Sequence, residues 1–116
     1  MKKLILVSLL MPNILFAGSL AKTNADLAKD CIAIKKHIKL LISYQKAEDC
    51  ELKLIMAETY TDAAATRLLG NNRSDARNYL KEATSNLTYA EILSCEKLQD
   101  ITAVNAQVSN VMQELS

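Results

Sequence analysis

An all-α fold is predicted for this chain by three observations. Apolar residues recur at alternating intervals of three and four from residue 23 onward. The two-residue alternation that marks strands never persists, and Thr23 to Leu69 contains neither glycine nor proline. The expected architecture is a disulfide-clamped antiparallel helical hairpin. Its arms are either extended or folded back into a three- or four-helix bundle.

The first 21 residues stand apart. Lys2 and Lys3 precede an apolar stretch, Leu4 to Phe16, interrupted by Ser8, Pro12 and Asn13; the small residues Ala17, Gly18, Ser19 and Ala21 follow. Basic, apolar, then small is the order of a secretory signal peptide, with the cut expected after Ala21. The apolar stretch is also shorter than the roughly 20 residues that a membrane-spanning helix needs. No cysteine follows the cut, so no lipid anchor is expected there. The expected organisation is a cleaved signal peptide at 1–21 and a single α-helical domain at 22–116. The compartment is periplasmic or secreted, with a bacterial or a eukaryotic source left open.

Without Lys2 and Lys3, the 14 Lys and Arg residues fall to 12, against 13 Asp and Glu, for a net charge of −1. Nucleic acid and anionic membranes need clustered positive charge. The densest basic run, "KKHIK" at 35–39, is short and is followed by the acidic "EDCE" at 48–51. Neither partner is therefore expected once the signal peptide is gone.

The helical elements follow in order. Leu27, Cys31, Ile34, Ile38 and Leu41 form the first stripe, and Thr23 with Asp26 resembles a capping box at its start. Cys50, Leu54, Ala57, Thr61, Ala64 and Leu68 form the second. Gly70, the only glycine beyond residue 21, stands where a left-handed residue ends a helix. Asn72, with Asp75 three residues on, then caps the next helix, Ser74 being an alternative cap. That helix carries Ala76, Leu80, Ala83, Leu87 and Ala90. Leu98, Ile101, Val104, Val108, Val111 and Leu115 carry the pattern to the end. An unbroken helix over 24–69 would be about 69 Å long, far beyond the usual three turns. Breaks around Ser43–Lys46 and near Asp100–Thr102 would fold the arms back. Ala57, Ala64, Ala76, Ala83 and Ala90 favour close pairing of the segments nearest the turn, so the hairpin over 48–95 is the best-defined part.

Residues that face each other across an antiparallel hairpin have numbers adding to a constant. A turn centred near Asn72 sets it at 144 or 145, and Cys50 with Cys95 gives 145. The two would lie side by side, roughly 30 Å from the turn, within disulfide reach. Cys31 would face the region of Glu114. It has three readings: a buried free thiol, an intermolecular thiol that links a homodimer, or a partner for Cys50 across a tight turn near Leu40.

Chemistry-bearing patterns are sparse. His37, the only histidine, has no carboxylate or cysteine three or four residues away, and Cys31 lies six residues off, on a different face. Asp49 and Glu51 are two apart and diverge. The cysteine spacing does not suit a metal, one glycine cannot cradle a phosphate, and Met56 and Met112 do not pair with His37 for haem. No cofactor and no metal are expected, and the chain is not expected to be an enzyme. Asn72-Arg73-Ser74 and Asn86-Leu87-Thr88 match glycosylation acceptors; both asparagines are read as caps or surface residues. Tyr60 and Tyr79 should flank the hairpin seam, with Tyr89 on its exposed side.

The segments "YTDA" at 60–63, "SDARNYL" at 74–80, "LT" at 87–88 and Cys95 resemble the later half of the plant invertase and pectin methylesterase inhibitor domain. That resemblance implies a secreted, disulfide-bearing four-helix bundle that blocks a carbohydrate-active enzyme. The paired cysteines of that family's N-terminal hairpin have no counterpart here. The expected function is a small exported helical protein-binding module: an adaptor, an inhibitor or an assembly subunit. Its partner is another protein or a second copy in a homodimer. An envelope chaperone or stress protein is the alternative.

Overall fold

The computed structural model describes residues 22–116; the signal-peptide reading of 1–21 lies outside them. Among the described residues the chain forms four helices and no strand: α1 (Asn24–Ile42), α2 (Glu48–Leu69), α3 (Arg73–Ile92) and α4 (Leu98–Glu114). Each packs on its sequence neighbours, and α4 closes the ring against α1. Arg73, at the start of α3, donates to Asn24 at the start of α1 and to the Glu114 carbonyl at the end of α4. The start of α1, the α2–α3 turn and the end of α4 therefore share one end of an up-and-down bundle. The two other loops share the opposite end. Of the alternatives left open by the periodicity, the folded-back four-helix arrangement is the one adopted.

The apolar stripes explain the ring. Every predicted stripe residue of α1, α2 and α3 is buried, and so are those of α4 except Leu98, which is 40% exposed. The α2–α3 interface is the most extensive. Ala57, Ala64, Ala76, Ala83 and Ala90 are all fully buried, and their small side chains let the helices approach closely. Tyr60 and Tyr79 stack beside this seam with ring centres 6.2 Å apart. Buried polar groups stay within their helices. The Thr61 hydroxyl donates to the Ala57 carbonyl at 2.8 Å, and the Asn86 amide donates to that of Glu82 at 2.9 Å. Asn86 is thus buried rather than a cap or a surface residue, which corrects the sequence reading and withdraws it as a glycosylation acceptor.

The helix starts at the end that holds the α2–α3 turn match the sequence. The Thr23 hydroxyl accepts from the Asp26 N–H at 3.0 Å while the Asp26 carboxylate accepts from the Thr23 N–H, a complete capping box. Asn72 Oδ1 accepts from the Asp75 N–H at 3.0 Å.

The turn between α2 and α3 differs from expectation by one residue. Gly70 has φ −90° and is the last, roughly helical position; Asn71, at φ 62°, takes the left-handed one. The Asn72 N–H donates to the Arg67 carbonyl and the Asn71 N–H to that of Leu68, the bonding of a Schellman motif. Asparagine tolerates left-handed backbone better than most residues, and the Asn71 side chain is held by the Asn24 amide at 3.0 Å. Gly70 is therefore not what the turn requires.

The second break also falls elsewhere, at 93–97 rather than 100–102. Ser94 (φ 54°) ends α3 in a second Schellman motif, with Cys95 N–H donating to the Ala90 carbonyl and Ser94 N–H to that of Glu91. Lys97 (φ 64°) then precedes α4. Neither is glycine, so no residue type signalled the turn. The first break, at Ser43–Ala47, lies where it was expected.

A Cβ on Gly70 would meet only the Arg67 and Thr66 carbonyls, at 3.6 and 3.7 Å. Gly70→Ala is expected to raise unfolding free energy by about 0.5 kcal/mol through the unfolded chain. Asn71→Ala should lower it by about 1–2 kcal/mol. Urea denaturation of both variants checks the reversal. The Cys50–Cys95 bond spans 45 positions of sequence. On the chain-entropy picture, Cys50→Ser/Cys95→Ser lowers stability by at most about 4 kcal/mol, which chemical denaturation of oxidised and double-variant protein reads directly.

Candidate functional site

The site residues singled out by the sequence are its cysteines. Cys50, in the first turn of α2, and Cys95, just beyond α3, form a disulfide with Cα atoms 5.6 Å apart. Both are buried. The equal-distance argument from one bend therefore holds, and it excludes a Cys31–Cys50 bond. Cys31 is a free thiol, fully buried in α1. Burial, helped by the charge of Asp30, pushes it up to about 12. Its sulfur is withdrawn from any second chain while the bundle is folded, so the intermolecular-thiol reading of Cys31 is not supported by its position.

The other candidates do not converge. His37 is half-buried on α1, and Asp49 and Glu51 lie exposed near the start of α2. Among the described residues, no group of three His, Cys, Asp or Glu side chains is placed to hold a metal ion. Nor, among those residues, is any helix long and apolar enough to cross a membrane.

What the structure does assemble is a braced end. Gln45, in the first loop, donates to the Leu41 and Glu96 carbonyls at 3.0 and 2.9 Å and accepts from the Glu96 N–H at 3.0 Å. One amide side chain thus joins the two loops. The Lys97 ammonium lies 4.6 Å from the centre of the Tyr44 ring, and that of Lys53 lies 4.5 Å from the Tyr89 ring. The disulfide ties the same end covalently.

This end also carries nearly all the exposed large apolar side chains among the described residues. Leu40 and Tyr44 come from the end of α1 and its loop, Leu52 and Ile55 from the first turns of α2. Tyr89, Ile92 and Leu93 come from the end of α3, and Leu98 from the start of α4. Ile92 is 74% exposed, and of the exposed large apolar side chains among the described residues only Leu69 lies at the other end. The helix starts here, at Ala47 and Lys97, make no side-chain capping bond, unlike Thr23 and Asn72 opposite. None of these residues but Leu98 belongs to the apolar stripes that mark the core. The available signal was apolar residues off the stripes, as in Leu40 beside Leu41 and Leu52 beside Leu54.

Compared with protein-family models, curated proteins and solved structures, the chain finds no match. The resemblance to the invertase and pectin methylesterase inhibitors rests on the quoted residues alone.

Cys31 should resist alkylation in the folded protein. A thiol-reactive reagent at neutral pH is expected to modify it only at the rate of bundle opening, and to label it fully in denaturant, as counted by mass spectrometry. The folded thiol holds its proton to higher pH than the unfolded one. Its contribution to stability is complete below pH 9 and declines as pH rises toward about 12.

Proposed function

We propose that this chain is an exported protein-binding module that engages another protein with the disulfide end of its bundle. The observation that carries the reading is the difference between the two ends. One is sealed by side-chain caps and by the bonds of Asn24 to Asn71 and to Arg73. The other is braced by a disulfide and the Gln45 bridge, yet leaves apolar side chains from all four helices in water. Monomeric soluble proteins seldom concentrate exposed apolar groups without use. A rigid surface loses little conformational freedom on binding, which favours affinity. Export is supported by the order of basic, apolar and small residues in 1–21 and by a disulfide suited to an oxidising compartment.

The test is affinity capture of the oxidised chain starting at Lys22 from an extract of its own compartment. A stoichiometric partner is expected. Leu40→Glu/Ile92→Glu should weaken its capture by at least tenfold, since each charge would be buried against the partner. Ala106→Glu, on the exposed side of α4, should leave capture unchanged. If no stable complex forms but aggregation of unrelated unfolded proteins is suppressed, the envelope-chaperone reading replaces this one.

A further inference from the structure

We propose that the protein met by the disulfide end is a second copy of this chain, and that the two copies exchange α4. This rests on the reading of that end as a binding surface and names its partner. α4 is the helix least tied to its own bundle. It lies beyond Cys95, outside the covalent loop that joins α2 to the end of α3. Its interfaces with α3 and α1 are the two least extensive in the ring. Between α1 and α4 the packing leaves a cavity of about 270 Å³, whose lining includes Asp30, Ile34, Asn110 and Glu114.

The hinge is a single residue. Cys95 is bonded to Cys50, and the Gln45 amide grips both the N–H and the carbonyl of Glu96. α4 begins at Leu98, so the chain is pinned up to Glu96 and only Lys97 lies between. Lys97 is left-handed at φ 64°, a costly conformation for a residue with a Cβ, and it gives α4 no side-chain cap. Straightening Lys97 relieves that strain and swings α4 outward past the disulfide end.

The occupant follows from the cleft that α4 leaves. Asn105 accepts from Thr84 and donates to Thr88 at 3.1 Å, and Arg73 donates to the Glu114 carbonyl at 2.9 Å. An unrelated helix would leave these groups without partners, whereas α4 of a second copy meets them residue for residue. Because α4 starts at the disulfide end of its own bundle, the receiving bundle must present its own disulfide end. The two copies therefore meet end to end about a two-fold axis. Leu40, Tyr44, Ile92 and Leu93, all exposed in one copy, then come close to those of the other. Exchange remakes every α4 contact, so the balance turns on the relaxed hinge and this new contact, set against the cost of association.

Sedimentation of the oxidised chain starting at Lys22, equilibrated at high concentration, should show a dimer. Lys97→Gly takes left-handed backbone without strain and should weaken the dimer on the order of 30-fold, counting both hinges. Thr84→Cys/Asn105→Cys separates exchange from simple contact: once oxidised and denatured, the dimer should remain covalently joined between chains. A dimer whose added disulfide stays within each chain overturns the proposal, as does a dimer equally stable with Lys97→Gly or a chain that is monomeric at every concentration. A monomer that captures a different protein through Ile92 sinks this inference and leaves the reading above. An exchanged dimer that Leu40→Glu/Ile92→Glu does not weaken sinks the binding-surface reading and leaves the exchange of α4.

Discussion

The close approach of α2 and α3 governs the rest of this bundle. Five alanines line the seam, and every one is fully buried. Small side chains bring the helix backbones near each other, but each buries little apolar surface, so the hydrophobic gain per residue is modest. Register is then decisive, and the turn at Asn71 sets it. With that residue left-handed and α3 capped by Asn72, residues equidistant from the bend meet. Cys50 and Cys95 meet as a consequence. The disulfide reduces the freedom of the unfolded chain just where a small core is least able to offset it.

From that register follows the contrast between the ends. Side-chain caps stabilise a helix start by about 1 kcal/mol, and the bundle has them at α1 and α3 but not at α2 and α4. In α2 the acidic first turn offsets part of the difference through the helix dipole. The greater compensation is mechanical: a covalent bond, the Gln45 bridge between loops and the Lys97–Tyr44 contact fix that end without burying its apolar side chains. Rigidity and exposed apolar surface are usually in conflict, because order is normally bought by burial. Here the crosslink separates them.

The sequence was informative wherever one residue type had one physical meaning. The stripes marked the core because a helix repeats every 3.6 residues, and only Leu98 among them is exposed. Thr23 and Asn72 announced helix starts because their side chains can reach an orphan N–H. Turns were less legible. Gly70 drew attention as the only glycine of the helical region, yet its neighbour Asn71 supplies the left-handed backbone. Ser94 and Lys97 do the same for the α3–α4 turn, and neither residue type marks left-handed backbone. The braced end was illegible for another reason. It is built by four helices contributing residues off their own stripes, and only the folded-back topology gathers them.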